Sequence, residues 1–399
     1  MTQPHKDPKT KPLIRVAWVA HQVAPASTGE LAEKYLQQWL PSDSFEFTED
    51  HPEIVLFMSG GSERKAIEII HPDQPVLLLT IRENNSYAAA TEVMAWLKAN
   101  HRFAMLSDAR EASETGLIDR WRKAVVACHR LHGMKAGLIG FVSDWLVASD
   151  TSAARLAEVF GITLETIPWN TFPDYINQEP DPDLLLKFRG DNTEKLRDAS
   201  RVLSLLRSVI KGHRLDAVTV ECFNLARQRK VTACLALAQL QAEGMVAACE
   251  GDVTSMVGMM LAASVTGQVP WMANTTGIYN NVLFLSHCTV PLNLVTDIRL
   301  MSHYETDCSL AVKGRITSSD VTIFRLSGLL DKAFITEGTV SDLPDRKDAC
   351  RTQVEIKLPL HSLALMRENP LGNHIIMMPG KHADTLRMAC QVKAIEIIS

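Results

Sequence analysis

Short apolar runs alternate with longer amphipathic runs along the first third of the chain. The apolar runs are bounded by turn residues, which is typical of buried strands, and the longer runs repeat apolar residues at helical spacing. Strands that alternate with helices predict a parallel sheet with right-handed crossovers. The predicted strands are Leu13–Ala20, Ile54–Met58, Pro75–Ile81 and Phe103–Ser107, and the predicted helices are Glu30–Leu40, Glu63–Ile70, Tyr87–Asn100 and Leu117–His132.

The same alternation restarts at Lys135 and changes after Trp271. Beyond that point strand-like runs follow one another, turn residues separate them, and few amphipathic helices intervene. We therefore predict an α/β protein with two doubly wound parallel-sheet domains and a β-rich, antiparallel or barrel-like C-terminal domain. The predicted domains cover residues 1–133, 134–266 and 267–399.

Composition excludes several classes of function. A net charge of −5 argues against a nucleic-acid partner, and no run reaches the ~18 apolar residues that a membrane span needs. The segment Met1 to Pro12 is polar and lacks the apolar core of a secretory signal. Eight cysteines without any CxxC spacing fit reduced thiols. These features together predict a cytoplasmic protein that binds neither membranes nor nucleic acid.

Carboxylates follow two predicted strands, at the edge of the sheet where α/β proteins bind their ligands. Glu221 follows the strand Ala217–Val220, and Asp252 follows Met245–Cys249 in the segment Cys249-Glu250-Gly251-Asp252. Adjacent parallel strands end on one edge, so these carboxylates are expected to converge, and a divalent cation would relieve their repulsion. The alternative for Asp252 is an N-cap of the following helix, and for Glu250 a supporting role beside the glycine.

Two histidines lie near apolar strands in the last third. His374 opens the run Ile375 to Met378, and His287 follows Val282 to Ser286. Each fits a metal or substrate contact, although a lone histidine beside an apolar strand is more often a hydrogen-bonded residue of the core or its rim. Spacing alone leaves both interpretations open.

Several segments together resemble the L-fucose isomerase-like group of the fucose and arabinose isomerase superfamily, in a short form. The resemblance spans nearly the whole chain, and its best segments lie beyond residue 217. They are Cys249-Glu250-Gly251-Asp252, Leu285 to Asn293 with Ser286-His287-Cys288, Val321 to Arg325, Cys350-Arg351-Thr352-Gln353 and Gly372-Asn373-His374, and in the N-terminal half Ser59 to Glu63, Asn84-Asn85 and Val142 to Leu146.

The resemblance implies an aldose–ketose isomerase that uses Mn²⁺, or another divalent cation such as Mg²⁺ or Co²⁺, and works through an enediol. It implies a metal set of Glu221, Asp252 and His374, with Glu221 and Asp252 also moving the proton between C1 and C2. It also implies a homo-oligomer, a hexamer or a trimer. The predicted substrate is a free or modified monosaccharide, contacted by His287, Arg351 and Gln353. The alternative is a non-catalytic sugar-binding or regulatory protein on the same fold.

Overall fold

The structure is a computed structural model that describes residues 13–71, 74–191 and 193–398. The segment Met1 to Pro12, on which the absence of a signal was argued, lies outside the described residues. The chain divides into two compact units, residues 1–130 with 391–394 and residues 131–390 with 395–399.

The first unit contains a five-stranded sheet in the order β2-β1-β3-β4-β5, and all of its neighbouring strands run parallel. Its central strands are buried on both faces, which explains why they read as continuous apolar runs. Its elements are β1 (Ile14–Val19), α1 (Ser27–Trp39), β2 (Phe45–Phe47), β3 (Ile54–Phe57), α2 (Glu63–Ile69), β4 (Val76–Thr80), α3 (Ser86–Ala99), β5 (Ala104–Asp108), α4 (Ala109–Glu114) and α5 (Leu117–Leu131).

The second unit begins with a four-stranded parallel sheet in the order β7-β6-β8-β9. Because β8 and β9 are neighbours in register, the residues that follow them meet at one edge. The elements are β6 (Lys135–Ile139), α6 (Ala153–Phe160), β7 (Thr163–Ile167), α7 (Pro182–Lys187), α8 (Glu194–His213), β8 (Ala217–Val220), α9 (Cys222–Arg229), α10 (Cys234–Ala242), β9 (Val246–Cys249) and α11 (Val253–Thr266).

A larger, mostly antiparallel sheet follows in the order β14-β17-β10-β11-β16-β15-β18, and a further pairing of β14 with β15 closes six of its strands on themselves. β12 and β13 form a separate hairpin. The elements are β10 (Trp271–Tyr279), β11 (Val282–His287), β12 (Val295–Met301), β13 (Ala311–Ile316), β14 (Asp320–Leu326), β15 (Lys332–Asp342), β16 (Thr352–Lys357), α12 (Leu360–Glu368), β17 (His374–Pro379), α13 (Ala383–Val392) and β18 (Glu396–Ile397).

Helix α11 joins the two sheets of this unit. It is apolar on every side and buried from residue 253 to residue 262, as expected of a helix enclosed by protein. It contacts β8 and β9 of the parallel sheet and β10, β14 and β17 of the closed sheet. A Cβ at Gly258 would collide with Ile376 of β17, so glycine permits the close approach of helix and strand.

The predicted fold class is confirmed: parallel-sheet α/β architecture precedes a β-rich C-terminal sheet. The domain boundaries at residues 133 and 266 stay a prediction. Within the described parts of the chain, no helix combines the length and apolarity that crossing a membrane requires.

Candidate metal centre

The candidate site lies where β9 turns into α11. Glu250 and Gly251 both adopt left-handed backbone conformations, with φ of 65° and 70°. A Cβ at position 251 would collide with the carbonyl oxygen of Phe141, which explains the glycine. A left-handed glutamate is uncommon, and such backbone strain is concentrated at functional sites. The turn directs the carboxylate of Glu250 toward two histidines of the closed sheet.

Glu250, His287 and His374 form a buried group whose candidate ligand atoms all lie within 4.8 Å of one another. Oε1 of Glu250 is 3.5 Å from Nε2 of His374 and 3.7 Å from Nε2 of His287. β11 ends at His287 and β17 begins at His374, and β10 lies between these two strands. One carboxylate and two imidazoles at this spacing are a donor set for a divalent transition metal.

His374 is held in an orientation suited to a metal. Its Nδ1 is 2.8 Å from Oδ2 of Asp252, and its Nε2 is buried without a hydrogen-bond partner. A histidine ligand commonly donates its other ring N–H to a carboxylate, which fixes the tautomer and leaves the lone pair for the ion. Burial alone would lower the pKa of His374, but Glu250 and Asp252 outweigh it and raise the pKa to about 9.

His287 also directs its Nε2 toward Oε1 of Glu250, but its hydrogen bonding differs from that of His374. The backbone N–H of Thr289 donates to its Nδ1 at 3.1 Å, so in the neutral ring the proton resides on Nε2. That N–H faces Oε1 of Glu250. In this arrangement His287 is a hydrogen-bond donor, and it would bind a metal through Nε2 only if the contact with Thr289 were broken.

Asp252 is fully buried and has its acceptors occupied. It caps α11 by accepting from the backbone N of Ser255 at 2.7 Å, and it also accepts from Oγ of Ser255 at 2.8 Å. Nη1 of Arg325, itself buried, is 3.6 Å from its Oδ2. Burial alone would raise the pKa of Asp252, but Arg325 and then His374 outweigh it, so the pKa lies below its usual value.

The carboxylate of Glu221 belongs to another set of contacts. Its Oε2 accepts from Nε1 of Trp169 at 3.0 Å and from the backbone N of Phe141 at 3.1 Å. The structure thus brings Asp252 and His374 of the predicted metal set into direct contact, and it brings in Glu250. The cluster of candidate ligand atoms does not include Glu221 or Asp252.

Two packed aromatic rings, Trp145 and Phe223, connect Glu250 to His303. Nε1 of Trp145 donates to Oε2 of Glu250 at 2.7 Å, and the ring of Trp145 packs edge-on against Phe223 at 4.9 Å. Phe223 in turn packs edge-on against His303 at 5.5 Å, and Nε2 of His303 is 3.8 Å from Oε2 of Glu305. No spacing pattern marks His303 or Glu305 in the sequence, because both lie in the irregular segment between β12 and β13.

The predicted substrate contacts Arg351 and Gln353 both line one cavity. The amide of Gln353 is engaged with the backbone of Arg346 and Cys350. Arg351 donates to the carbonyl of Ser302 at 2.7 Å and lines a cavity of about 340 Å³. Four basic and two acidic side chains line this cavity: Arg299, Lys313, Arg315 and Arg351, with Asp297 and Asp345.

Fold and site together define an α/β protein with a β-rich C-terminal sheet and a buried carboxylate–imidazole centre suited to a divalent cation. No family model matches the chain. The chain is similar to two proteins named sulfoquinovose isomerase, from Priestia aryabhattai and from Priestia megaterium. Each is 22% identical over 335 residues, and the match covers 76% of this chain and 74% of the relative.

Proposed function

We propose that this protein is a metal-dependent sugar isomerase that interconverts an aldose and a ketose by moving a proton between C1 and C2. The observation that carries the proposal is the buried Nε2 of His374, which has no hydrogen-bond partner and lies 3.5 Å from Oε1 of Glu250. A buried polar atom without a partner is costly, and a cation between these two groups would satisfy both. The similarity to sugar isomerases supports the same conclusion.

Glu250 and His374 would hold the ion. When bound, a divalent ion supplies Lewis-acid polarisation of neighbouring carbonyl and hydroxyl oxygens. Mn²⁺, Mg²⁺ and Co²⁺ all accept a carboxylate and an imidazole, and Mn²⁺ is the first choice from the resemblance to fucose isomerases. The direct ligand roles predicted for Glu221 and Asp252 are not part of this proposal, because both oxygens of Asp252 and Oε2 of Glu221 accept hydrogen bonds from other groups.

The surrounding residues have separate tasks. Asp252 orients His374, and Arg325 offsets the buried negative charge of Asp252. His287 donates its Nε2–H toward a sugar oxygen, which keeps its predicted role as a substrate contact. Glu250 is held by Trp145, and burial of the centre excludes bulk water from the reacting carbons.

The substrate we propose to test first is a sulfonated aldose. The name of the two relatives suggests it, and the cavity beside Arg351 supports it. In that cavity Asp345 pairs with Lys313 and Asp297 lies 3.9 Å from Arg315. Arg299 and Arg351 therefore leave an excess of positive charge for an anionic group. The oligomer and the cytoplasmic location stay predictions.

The test combines metal binding with hydrogen exchange. Mn²⁺ binding is measured by calorimetry, and exchange of the C2 hydrogen with deuterated solvent is followed by NMR over a panel of aldoses that includes sulfoquinovose. We expect Mn²⁺ binding and exchange with at least one sugar, both abolished by a chelator. A protein that binds no divalent ion and exchanges no sugar contradicts the proposal. Sugar-induced thermal stabilisation without exchange and without chelator sensitivity instead indicates the non-catalytic binding protein.

A further inference from the structure

A second cavity of the second unit lies beside β17, on the face of this strand that points away from α11. His374 contacts Asp252 at the start of α11, and Ile376 lies against Gly258 of the same helix. Side chains alternate between the two faces of a strand, so Ile375 points the other way, and it lines the cavity. This cavity, the β17 cavity, is therefore on the opposite side of the strand from the candidate metal centre.

The β17 cavity has the size and the wall of a small-molecule site. Its volume is about 360 Å³, within the range of ~300–1,000 Å³ that such sites occupy. Apolar side chains from three elements and a turn line it: Phe334 of β15, Ile375 of β17, Met366 of α12 and Leu371 of the turn after α12. The wall therefore suits an occupant with an apolar body.

Arg325 adds a positive charge to this wall. Its side chain is 1% exposed, and no other charged residue is found among the described residues that line the cavity. Nη1 donates to Oγ of Ser255 and Nη2 to Oγ of Ser149, both at 2.6 Å. Nε, the third nitrogen of the guanidinium, is buried without a hydrogen-bond partner. Because a buried donor without a partner is costly, this N–H requires an acceptor from outside the chain.

Gly372 leaves one side of this guanidinium uncovered. A Cβ at position 372 would lie 3.0 Å from Nε of Arg325, so the side chain of any other residue would be pressed against the guanidinium. Gly372 and Arg325 both line the β17 cavity. The missing side chain at this position therefore favours contact between Nε and an occupant of the cavity.

The polar groups of the wall argue against a sugar in this cavity. The backbone N of Thr275 donates to Oδ1 of Asn373 at 3.1 Å, and Oγ1 of Thr275 donates to the carbonyl of Asn373 at 2.8 Å. These groups satisfy one another, so the hydroxyls of a sugar would face mainly apolar side chains and lose their hydrogen bonds to water. An occupant with a single acceptor group matches the one unsatisfied donor of Arg325.

We propose that the β17 cavity binds a small monocarboxylate with an apolar body, and that its carboxylate accepts from Nε of Arg325. The apolar wall takes up the body of the ligand, which is favourable because apolar surface leaves water. A bond between a guanidinium and a carboxylate is roughly twice as strong as a bond between neutral groups, which favours an acid over an amide or an alcohol. This site is separate from the proposed isomerase function and does not rest on it.

The first experiment measures binding of hexanoate and phenylacetate by calorimetry, with hexanamide and phenylacetamide as neutral ligands of the same shape. The titrations contain no Mn²⁺, so a carboxylate cannot bind through an added ion. We expect at least one carboxylate to bind, and its amide to bind at least about tenfold more weakly because the charge-assisted bond is lost.

Variants then locate the ligand. Replacing Arg325 would also remove the counter-charge 3.6 Å from Asp252, so the variants change the wall instead. Met366→Trp overfills the cavity from α12 and should weaken carboxylate binding at least about tenfold. Leu371→Trp does the same from the following turn and replaces Met366→Trp if that variant does not fold. Leu360→Trp is the matched control: Leu360 lies on α12, is 65% exposed, and is not one of the described lining residues, so affinity should stay unchanged.

A carboxylate could instead bind the charged cavity that contains Arg351, and Arg351→Met tests this alternative. We expect Arg351→Met to keep the wild-type affinity for the carboxylate, and loss of affinity would overturn the proposal. Absence of binding, equal binding of carboxylate and amide, or wild-type affinity in a folded cavity-filling variant would overturn it as well. These measurements use neither Mn²⁺ nor a sugar, so their failure leaves the proposed isomerase function intact, and failure of that function leaves this site intact.

Discussion

Replacing Asp252 with asparagine separates the two roles that this residue has been given, direct ligand or support of His374. Asparagine keeps one oxygen, which can still accept from the backbone N of Ser255 and cap α11. Its amide NH₂, however, replaces the oxygen that His374 contacts at 2.8 Å. A donor then faces Nδ1 of His374 and the buried guanidinium of Arg325, so His374 loses its anchor and Arg325 loses its counter-charge.

The cost in stability can be estimated from these contacts. Removing one partner of a buried ion pair costs about 3–5 kcal/mol, because the other charge is left without compensation. Arg325 keeps bonds of 2.6 Å to Oγ of Ser255 and Oγ of Ser149, which favours the lower end of that range. The cap contributes about 1 kcal/mol and is retained, so it adds little. We therefore expect the free energy of unfolding to fall by about 3 kcal/mol.

The cost in metal affinity differs between the two roles. If Asp252 only orients His374, Asp252→Asn should weaken Mn²⁺ binding by about 10–100-fold, the usual effect of changing a residue behind a ligand. Glu250→Gln, which removes a carboxylate proposed to hold the ion, should abolish binding in the range that calorimetry reaches. An exposed aspartate in the first turn of another helix, Asp183→Asn, is the control and should change neither quantity.

The free energy of unfolding is measured by urea unfolding, which is monitored by tryptophan fluorescence. The Mn²⁺ affinity is measured by calorimetric titration. If folded Asp252→Asn loses Mn²⁺ as completely as Glu250→Gln, then Asp252 is a direct ligand, as the resemblance implied, and the geometric reasoning is refuted. Wild-type affinity in Asp252→Asn would equally refute the role of Asp252 in orienting His374.

Four further predictions concern the same centre. The pKa of His374 is about 9, so an ion must displace a proton from this ring at lower pH, and the apparent Mn²⁺ affinity should rise with pH by up to about tenfold per unit and level off above that pKa. Calorimetry in buffers of different ionisation enthalpy should detect about one proton released near pH 7 on Mn²⁺ binding. Binding without proton release would contradict this prediction. Trp145→Phe should abolish the largest part of Mn²⁺-dependent tryptophan quenching, since Nε1 of Trp145 contacts Glu250 at 2.7 Å; unchanged quenching would place the ion elsewhere. His287→Gln should raise KM and keep Mn²⁺ affinity within a few-fold, and a large loss of affinity would make His287 a ligand. Arg351→Met should weaken binding of a sulfonated aldose by about tenfold or more and leave its unsulfonated counterpart unchanged; equal effects on both sugars would argue against an anion subsite.

Much of the fold could be predicted because its apolar pattern is strong. The buried parallel strands read as continuous apolar runs, and α11 is apolar throughout, so both were evident in the sequence. The strands β10 and β12 lack such a pattern. Polar residues such as Asn274, Thr275 and Thr276 interrupt β10, and only one of the seven residues of β12 is buried. A strand that is solvated on most of its length has little apolar pattern to recognise.

The location of the site could be predicted, but not the direction of its side chains. The rule that parallel strands end on one edge predicts that Glu221 and Asp252 follow neighbouring strands, and β8 and β9 are neighbours in the sheet. It could not show that Glu221 would face Trp169 and Phe141 while a left-handed backbone would direct Glu250 toward His374. Such φ values depend on the packing of Gly251 against Phe141, which is distant in sequence.

The turn from Cys249 to Asp252 also links the site to the packing of the second unit. Asp252 caps a helix that contacts both sheets, and it is joined to His374 on a strand of the closed sheet. Glu250, two residues earlier, follows a strand of the parallel sheet and lies beside His287 and His374 of the closed sheet. The candidate ligands therefore come together only when the two sheets have packed against α11. Without a cation, burying one carboxylate against a protonated imidazole in this position contributes little net stability, because desolvation opposes the attraction. We infer that the arrangement is maintained for binding, and that a cation that occupies it would stabilise the packed second unit relative to its unfolded state by mass action.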